Sequence, residues 1–108
     1  MVAEISVEEL ESRLREGLPT HLVDVRQPWE NELAALPGSQ LLPLGELVGR
    51  ADEVEAPAGA LVVVYCHHGV RSLTGVAILQ RAGLADVVSL EGGIDAWSLR
   101  IDADVPRY

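Results

Sequence analysis

Ala60-Leu-Val-Val-Val-Tyr65, followed directly by Cys66-His67-His68-Gly69-Val70-Arg71-Ser72, decides how this chain is built. An unbroken apolar run with β-branched residues at its centre predicts a strand covered on both faces. Cys66 to Arg71 reads as a loop. Ser72 to Ala82 predicts a helix, with apolar residues at Leu73, Val76, Ala77 and Leu79 and a stop at Gly83. A buried strand, a short loop and a helix form the repeating unit of a parallel α/β sheet.

The segments on either side fit the same pattern. Ser6-Val-Glu-Glu9 is a capping box that opens a helix running to about Glu16, and Gly17 ends it. His21-Leu-Val-Asp-Val25 predicts a strand. Pro28 starts a short helix from Trp29 to about Leu33, and Pro37-Gly38 is a turn. Gln40 to Leu42 predicts a short strand, Leu44 to about Asp52 a helix, and Pro57 to Gly59 a loop. Asp86 to Leu90 predicts a further strand, and Gly92-Gly93 turns into a short helix through Trp97. Ile101 to Tyr108 has no periodicity. There is no internal repeat or linker. The expected fold is one α/β domain over residues 1–108: a small, mostly parallel sheet of about five strands with helices on both faces.

Composition limits the function. Apolar residues make up 48% of the chain and charged residues 23%, the profile of a globular domain. The net charge is −9, from eight arginines, no lysine and seventeen acids. Nucleic acid and anionic membrane surfaces both call for basic patches, so neither is an expected partner. The longest apolar run is too short to span a bilayer, and the acidic N-terminal residues form no signal pattern, so the expected location is the cytoplasm.

The chemistry centres on Cys66, the only cysteine, which can form no internal disulfide. A lone cysteine is commonly a small buried hydrophobe. Here it follows the strand expected at the sheet's centre, and parallel sheets place their ligand sites beyond the carboxyl ends of their strands. Backbone N–H groups of the loop and of the helix start can converge on its sulfur, and the helix dipole and Arg71 favour an anion there. The residue is therefore expected to be an exposed, activated thiolate. Gly69 allows a backbone conformation that a Cβ resists. His67, His68, Gly69, Val70, Arg71 and Ser72 would form the substrate-binding loop. His67 and His68 suggest zinc, but adjacent residues rarely aim at one ion and no second Cys/His pair has zinc spacing, so no metal is expected. Asp24, Arg26 and Glu30 read as structural support, with Arg26 expected to pair with Glu30. Trp29 and Trp97 read as packing residues.

The Cys-His-His-Gly-Val-Arg-Ser segment resembles the active-site loop of the rhodanese family of sulfurtransferases. Leu22-Val-Asp-Val-Arg26 with Pro28 and Glu30, Leu36-Pro-Gly-Ser39 with Pro43-Leu44, and Leu90-Glu-Gly-Gly-Ile-Asp-Ala-Trp97 resemble other motifs of that family, in its order. Ala34-Ala35 stands where the family often has Gly-His, and Asn31 where an aromatic is common. The resemblance implies a rhodanese-like fold and a two-step transfer. Cys66 takes the outer sulfur of a small donor such as thiosulfate, forming a persulfide, and a thiol, cyanide or a protein acceptor then removes it. No cofactor is implied. Related phosphatases and arsenate reductases use a cysteine loop one residue longer, whereas four residues separate Cys66 from Arg71 here. The other alternative is a non-catalytic binding module of the same fold.

Overall fold

The computed structural model describes residues 2–108. Five strands, β1 (Glu4–Ile5), β2 (Thr20–Asp24), β3 (Gln40–Leu41), β4 (Leu61–Tyr65) and β5 (Val87–Leu90), form one sheet in the order β1-β5-β4-β2-β3. Every pairing is parallel. The helices are α1 (Val7–Arg15), α2 (Pro28–Leu33), α3 (Leu47–Arg50), α4 (Arg71–Arg81) and α5 (Gly93–Arg100). β4 is central, as its two-sided apolar run predicts.

Alternation along β4 sorts its side chains into two cores. Val63 and Tyr65 pack with Val7 and Leu10 of α1 and with Ile94 and Trp97 of α5. Val62, Val64 and then Cys66 pack on the other face with Leu47 of α3 and with Val76 and Leu79 of α4. Each fully buried Val or Leu contributes about 1.5–3 kcal/mol of apolar transfer free energy. The same alternation points the Cys66 side chain toward α4. No described helix is long and apolar enough to cross a membrane.

Three details differ from the sequence expectation. β1 is only two residues long, too short to show a period, and it gains its place by pairing with Ser89 and Leu90 of β5. The single helix expected from Leu44 to Asp52 is a four-residue α3 between two 3₁₀ turns. Gly45 and Gly49 lie in this stretch and weaken a continuous helix. The unpatterned C-terminal segment folds back to the edge of the Cys66 loop, where the Tyr108 ring stacks on His67 at 3.9 Å.

A buried ion pair closes the carboxyl end of β2. Arg26 Nη2 donates to Asp24 Oδ2 at 2.8 Å and Arg26 Nε to Asp24 Oδ1 at 2.9 Å, with both side chains fully enclosed. Arg26 also donates to the Ala34 carbonyl at 2.6 Å, tying β2 to the chain beyond α2. Asp24 Oδ2 accepts further bonds from Asn31 Nδ2 at 3.0 Å and from the Tyr65 hydroxyl at 3.3 Å. Asn31, a departure from the family pattern, is thus absorbed into this network. Removing one partner of such a pair strands the other charge in the interior. Arg26→Met should therefore lower stability by about 3–5 kcal/mol. Urea unfolding followed by circular dichroism should show this as a lower midpoint at unchanged slope. A loss below about 1 kcal/mol would show that Asp24 does not depend on Arg26.

Candidate active site

β4 delivers Cys66 to the base of the loop and α4 closes it. The sulfur accepts hydrogen bonds from Gly69 N at 3.1 Å and Ser72 N at 3.3 Å, and the thiol donates to Ser72 Oγ at 3.4 Å. The first N–H groups of a helix have no partner within it. No side chain caps α4, and the sulfur takes one of its free N–H groups. Ser72 Oγ in turn hydrogen-bonds Ser89 Oγ at 2.7 Å, with both serines buried. Ser89 is a site residue that the sequence reading does not single out. Its signal is a lone hydroxyl in the apolar strand Val87-Val-Ser-Leu90.

The other side of the loop rests on α5. Ile94 N donates to the Cys66 carbonyl at 2.9 Å and Asp95 N to the His67 carbonyl at 3.1 Å. These N–H groups come from the first turn of α5, which also lacks a side-chain cap. The approach is close enough that a Cβ on Gly93 would overlap both carbonyl oxygens. Gly69 has φ +93°, and a Cβ there would lie 2.9 Å from Gly92 N. Both positions therefore need glycine.

This packing corrects one expectation. Cys66 is not exposed: its relative accessibility is 1%. Gly69 and Ser72 fold over the sulfur to make the hydrogen bonds that hold it. Val70, by contrast, is exposed, and so is His68.

The charged residues are arranged differently from the expectation as well. Glu30 pairs with Arg71 and not with Arg26. Arg71 Nη1 and Nη2 donate to the two carboxylate oxygens of Glu30 at 2.7 and 2.8 Å, a two-pronged contact. Arg26 is committed to Asp24, two residues earlier on the same strand end, and reaches only the Glu30 backbone carbonyl, at 3.4 Å. Tyr108 joins the two pairs. Its hydroxyl donates to Glu30 Oε2 at 2.6 Å and accepts from Arg26 Nη1 at 2.9 Å. Arg71 holds the Glu30 carboxyl down to about 2, against the opposing effect of burial and with help from the Tyr108 hydroxyl. The positive charge expected to face an incoming anion is thus already matched by a carboxylate. Tyr108 is the second site residue absent from the sequence reading, since nothing in the local pattern of the tail marks it.

His67 lies between the His68 and Tyr108 rings, each with its centroid 3.9 Å away. Burial, followed by the neighbouring His68, keeps the His67 imidazole below its usual range. His67, His68 and Asp95 bring one potential ligand atom each within 4.8 Å of the others. The two imidazoles are stacked 27° from parallel, which sets their in-plane lone pairs side by side instead of converging them. Asp95 is also engaged by Arg107 Nε at 2.9 Å. Trp97 is buried in the core, and Trp29 lies at the rim with its ring edge-on to Tyr108 at 6.0 Å.

Comparison with known proteins matches this geometry to a family. The model of the Rhodanese-like domain matches residues 6–100. A protein of Allochromatium vinosum named Sulfurtransferase is 38% identical over 98 residues, covering 91% of this chain and 90% of its own length. The probable adenylyltransferase/sulfurtransferase MoeZ of Mycobacterium tuberculosis is 35% identical over 104 residues, which are 96% of this chain and 26% of MoeZ. The chain thus spans about a quarter of MoeZ's length. A solved rhodanese-like domain protein from Staphylococcus aureus superposes with a TM-score of 0.81 at 28% identity over 98% of both chains. Since the family match takes in β2 to β5, the Cys66 loop and all of α5, the chain belongs to the rhodanese-like domain family, which includes sulfurtransferases.

Proposed function

We propose that this protein moves a sulfane sulfur from a small donor such as thiosulfate to a thiol, cyanide or protein acceptor, by way of a persulfide on Cys66. The observation that carries this reading is the pair of backbone donors on the Cys66 sulfur, Gly69 N and Ser72 N, beside the Ser72 hydroxyl that accepts from the thiol and is shared with Ser89. With thiosulfate, the Cys66 thiolate attacks the outer sulfur. A new S–S bond forms, the bond to the sulfonate sulfur breaks, and its electron pair leaves with sulfite. The negative charge ends on the outer sulfur of the persulfide. The loop N–H groups offer that charge partners without any counter-ion. An acceptor nucleophile then attacks the outer sulfur and the Cys66 thiolate returns. The loop amides and Ser72 bind the transferred sulfur, His67, His68 and Val70 form the rim, and Arg71 and Glu30 brace the loop. Asp24 and Arg26 support it from the end of β2. The reaction calls on no metal or organic cofactor.

Excess thiosulfate should raise the intact mass of the protein by one sulfur atom, and dithiothreitol should reverse the rise. Because no second cysteine exists to resolve the persulfide, sulfite release without an acceptor should stop after one equivalent per site. An adduct of equal yield on Cys66→Ser, or sustained release with no acceptor, would refute the assignment.

Ring size separates this reading from a phosphatase. With four residues between Cys66 and Arg71, the loop amides surround one sulfur, whereas a phosphoryl group needs donors around its oxygens as well. The native protein should form its persulfide much faster than it hydrolyses aryl phosphates. Inserting one glycine between Val70 and Arg71 should cut sulfur transfer by about 100-fold, since a displacement of ~1 Å can cost that much. Sulfite release and aryl phosphate hydrolysis would be followed on both proteins, with circular dichroism to check folding. Faster phosphate hydrolysis by the native protein would replace the sulfurtransferase reading.

A further inference from the structure

Around the loop, cations and carboxylates balance one for one among the described residues. Arg26 is paired with Asp24, Arg71 with Glu30 and Arg107 with Asp95. Two imidazoles remain at the rim: His67, stacked on the Tyr108 ring, and His68, 3.8 Å from Asp95. Arg71 is the cation placed at the loop itself, and both its terminal nitrogens are taken by a carboxylate whose side chain is 4% exposed. Tyr108 holds that carboxylate from the other side. The chain as a whole carries −9. A donor with two negative charges therefore meets neutral N–H dipoles but no uncompensated positive charge, within an unfavourable overall field.

We propose that Glu30 sets the donor specificity of this site by charge. By binding Arg71 it withholds the cation that a dianion would need. The site then accepts singly charged sulfane-sulfur donors, thiosulfonate or persulfide anions, in preference to dianionic thiosulfate. This rests on Cys66 being the sulfur acceptor. With a thiosulfonate the step balances as before: the S–S bond to Cys66 forms, the bond to the sulfonyl sulfur breaks, and the electron pair leaves with the sulfinate. Glu30 touches none of these atoms. It is a positioning residue acting through Arg71.

The test compares thiosulfate with the methanethiosulfonate anion, which presents the same outer sulfur with one charge fewer. Their kcat/KM values would be measured with cyanide as acceptor, for the native protein and for Glu30→Gln. The amide can keep a hydrogen bond to Arg71 while leaving its charge unmatched. The ratio of thiosulfate to methanethiosulfonate efficiency should rise about tenfold in the variant, as gaining one charge-assisted contact implies, and mainly through a lower KM for thiosulfate. Differences in intrinsic donor reactivity cancel in this change of ratio. An unchanged or lower ratio in a folded variant overturns the proposal. If the variant does not fold, the native protein decides: added potassium chloride should raise the ratio by screening repulsion of the dianion. A flat or falling ratio overturns the proposal, because a free cation would bind the dianion less well as salt rises. Intact mass after methanethiosulfonate treatment, on native protein and on Cys66→Ser, tests the underlying reading separately. A Cys66 adduct with the wrong ratio sinks only the charge filter, and no adduct with either donor sinks both.

Discussion

Two hydrogen bonds, from Ile94 N to the Cys66 carbonyl and from Asp95 N to the His67 carbonyl, fix where the loop begins. They use N–H groups that the first turn of α5 would otherwise leave without partners. On its other side the loop ends in α4, whose free N–H at Ser72 is taken by the Cys66 sulfur. Two uncapped helix starts thus share one loop, one holding its backbone oxygens and the other its sulfur. A parallel sheet makes this possible, because helices that follow neighbouring strands begin at the same edge. Gly93 is the condition on which the contact depends, since any side chain there would force α5 away from the loop.

The ionic network works at longer range. Asp24, Arg26, Glu30, Arg71 and Tyr108 link the end of β2, the helix α2, the loop and the C-terminal segment. Buried ion pairs are poor sources of net stability, because desolvation cancels much of their attraction. They are strict about geometry, however. Glu30 also accepts the Gln27 N–H at 3.0 Å, so the residue that grips Arg71 is locked to the start of its own helix. The position of the first loop-facing helix residue, Arg71, is therefore tied to a helix 41 positions earlier in the chain.

Much of this was legible in the sequence, for identifiable reasons. The central strand, the cysteine at its end and α4 follow from one apolar run and one 3.6-residue pattern, and local pattern sufficed there because burial on two faces leaves little choice. The capping box at Ser6 and Glu9 forms as its spacing predicts, with Glu9 N donating to Ser6 Oγ at 3.1 Å. What was not legible depends on pairing across the fold. β1 exists because β5 offers it an edge. Glu30 had two arginines in reach of its chemistry, and only the tertiary placement of Arg26 beside Asp24 assigns it to Arg71. Tyr108 lies 78 residues from Glu30, and a tail without periodicity carries no sign of that contact. The burial of Cys66 is hidden from local pattern for a related reason: a loop reads as exposed, although these residues turn inward to satisfy a sulfur.

An acidic protein with the anionic donors proposed above would usually be expected to concentrate positive charge at its site. Here the arginines near the loop are matched by carboxylates, and the sulfur is held by amides and a hydroxyl. Dipoles fixed by the backbone favour a negative sulfur without changing the net charge of the site. They are already oriented before a donor arrives, so little reorganisation accompanies the appearance of charge. Side-chain cations would attract every small anion in solution, whereas N–H groups aimed at one buried sulfur favour a charge at that point. The backbone provides the anion's environment and the paired arginines provide its rigidity. In the proposed sulfur transfer, that division of labour would let a domain of net charge −9 hold a sulfur anion without a concentrated patch of positive charge.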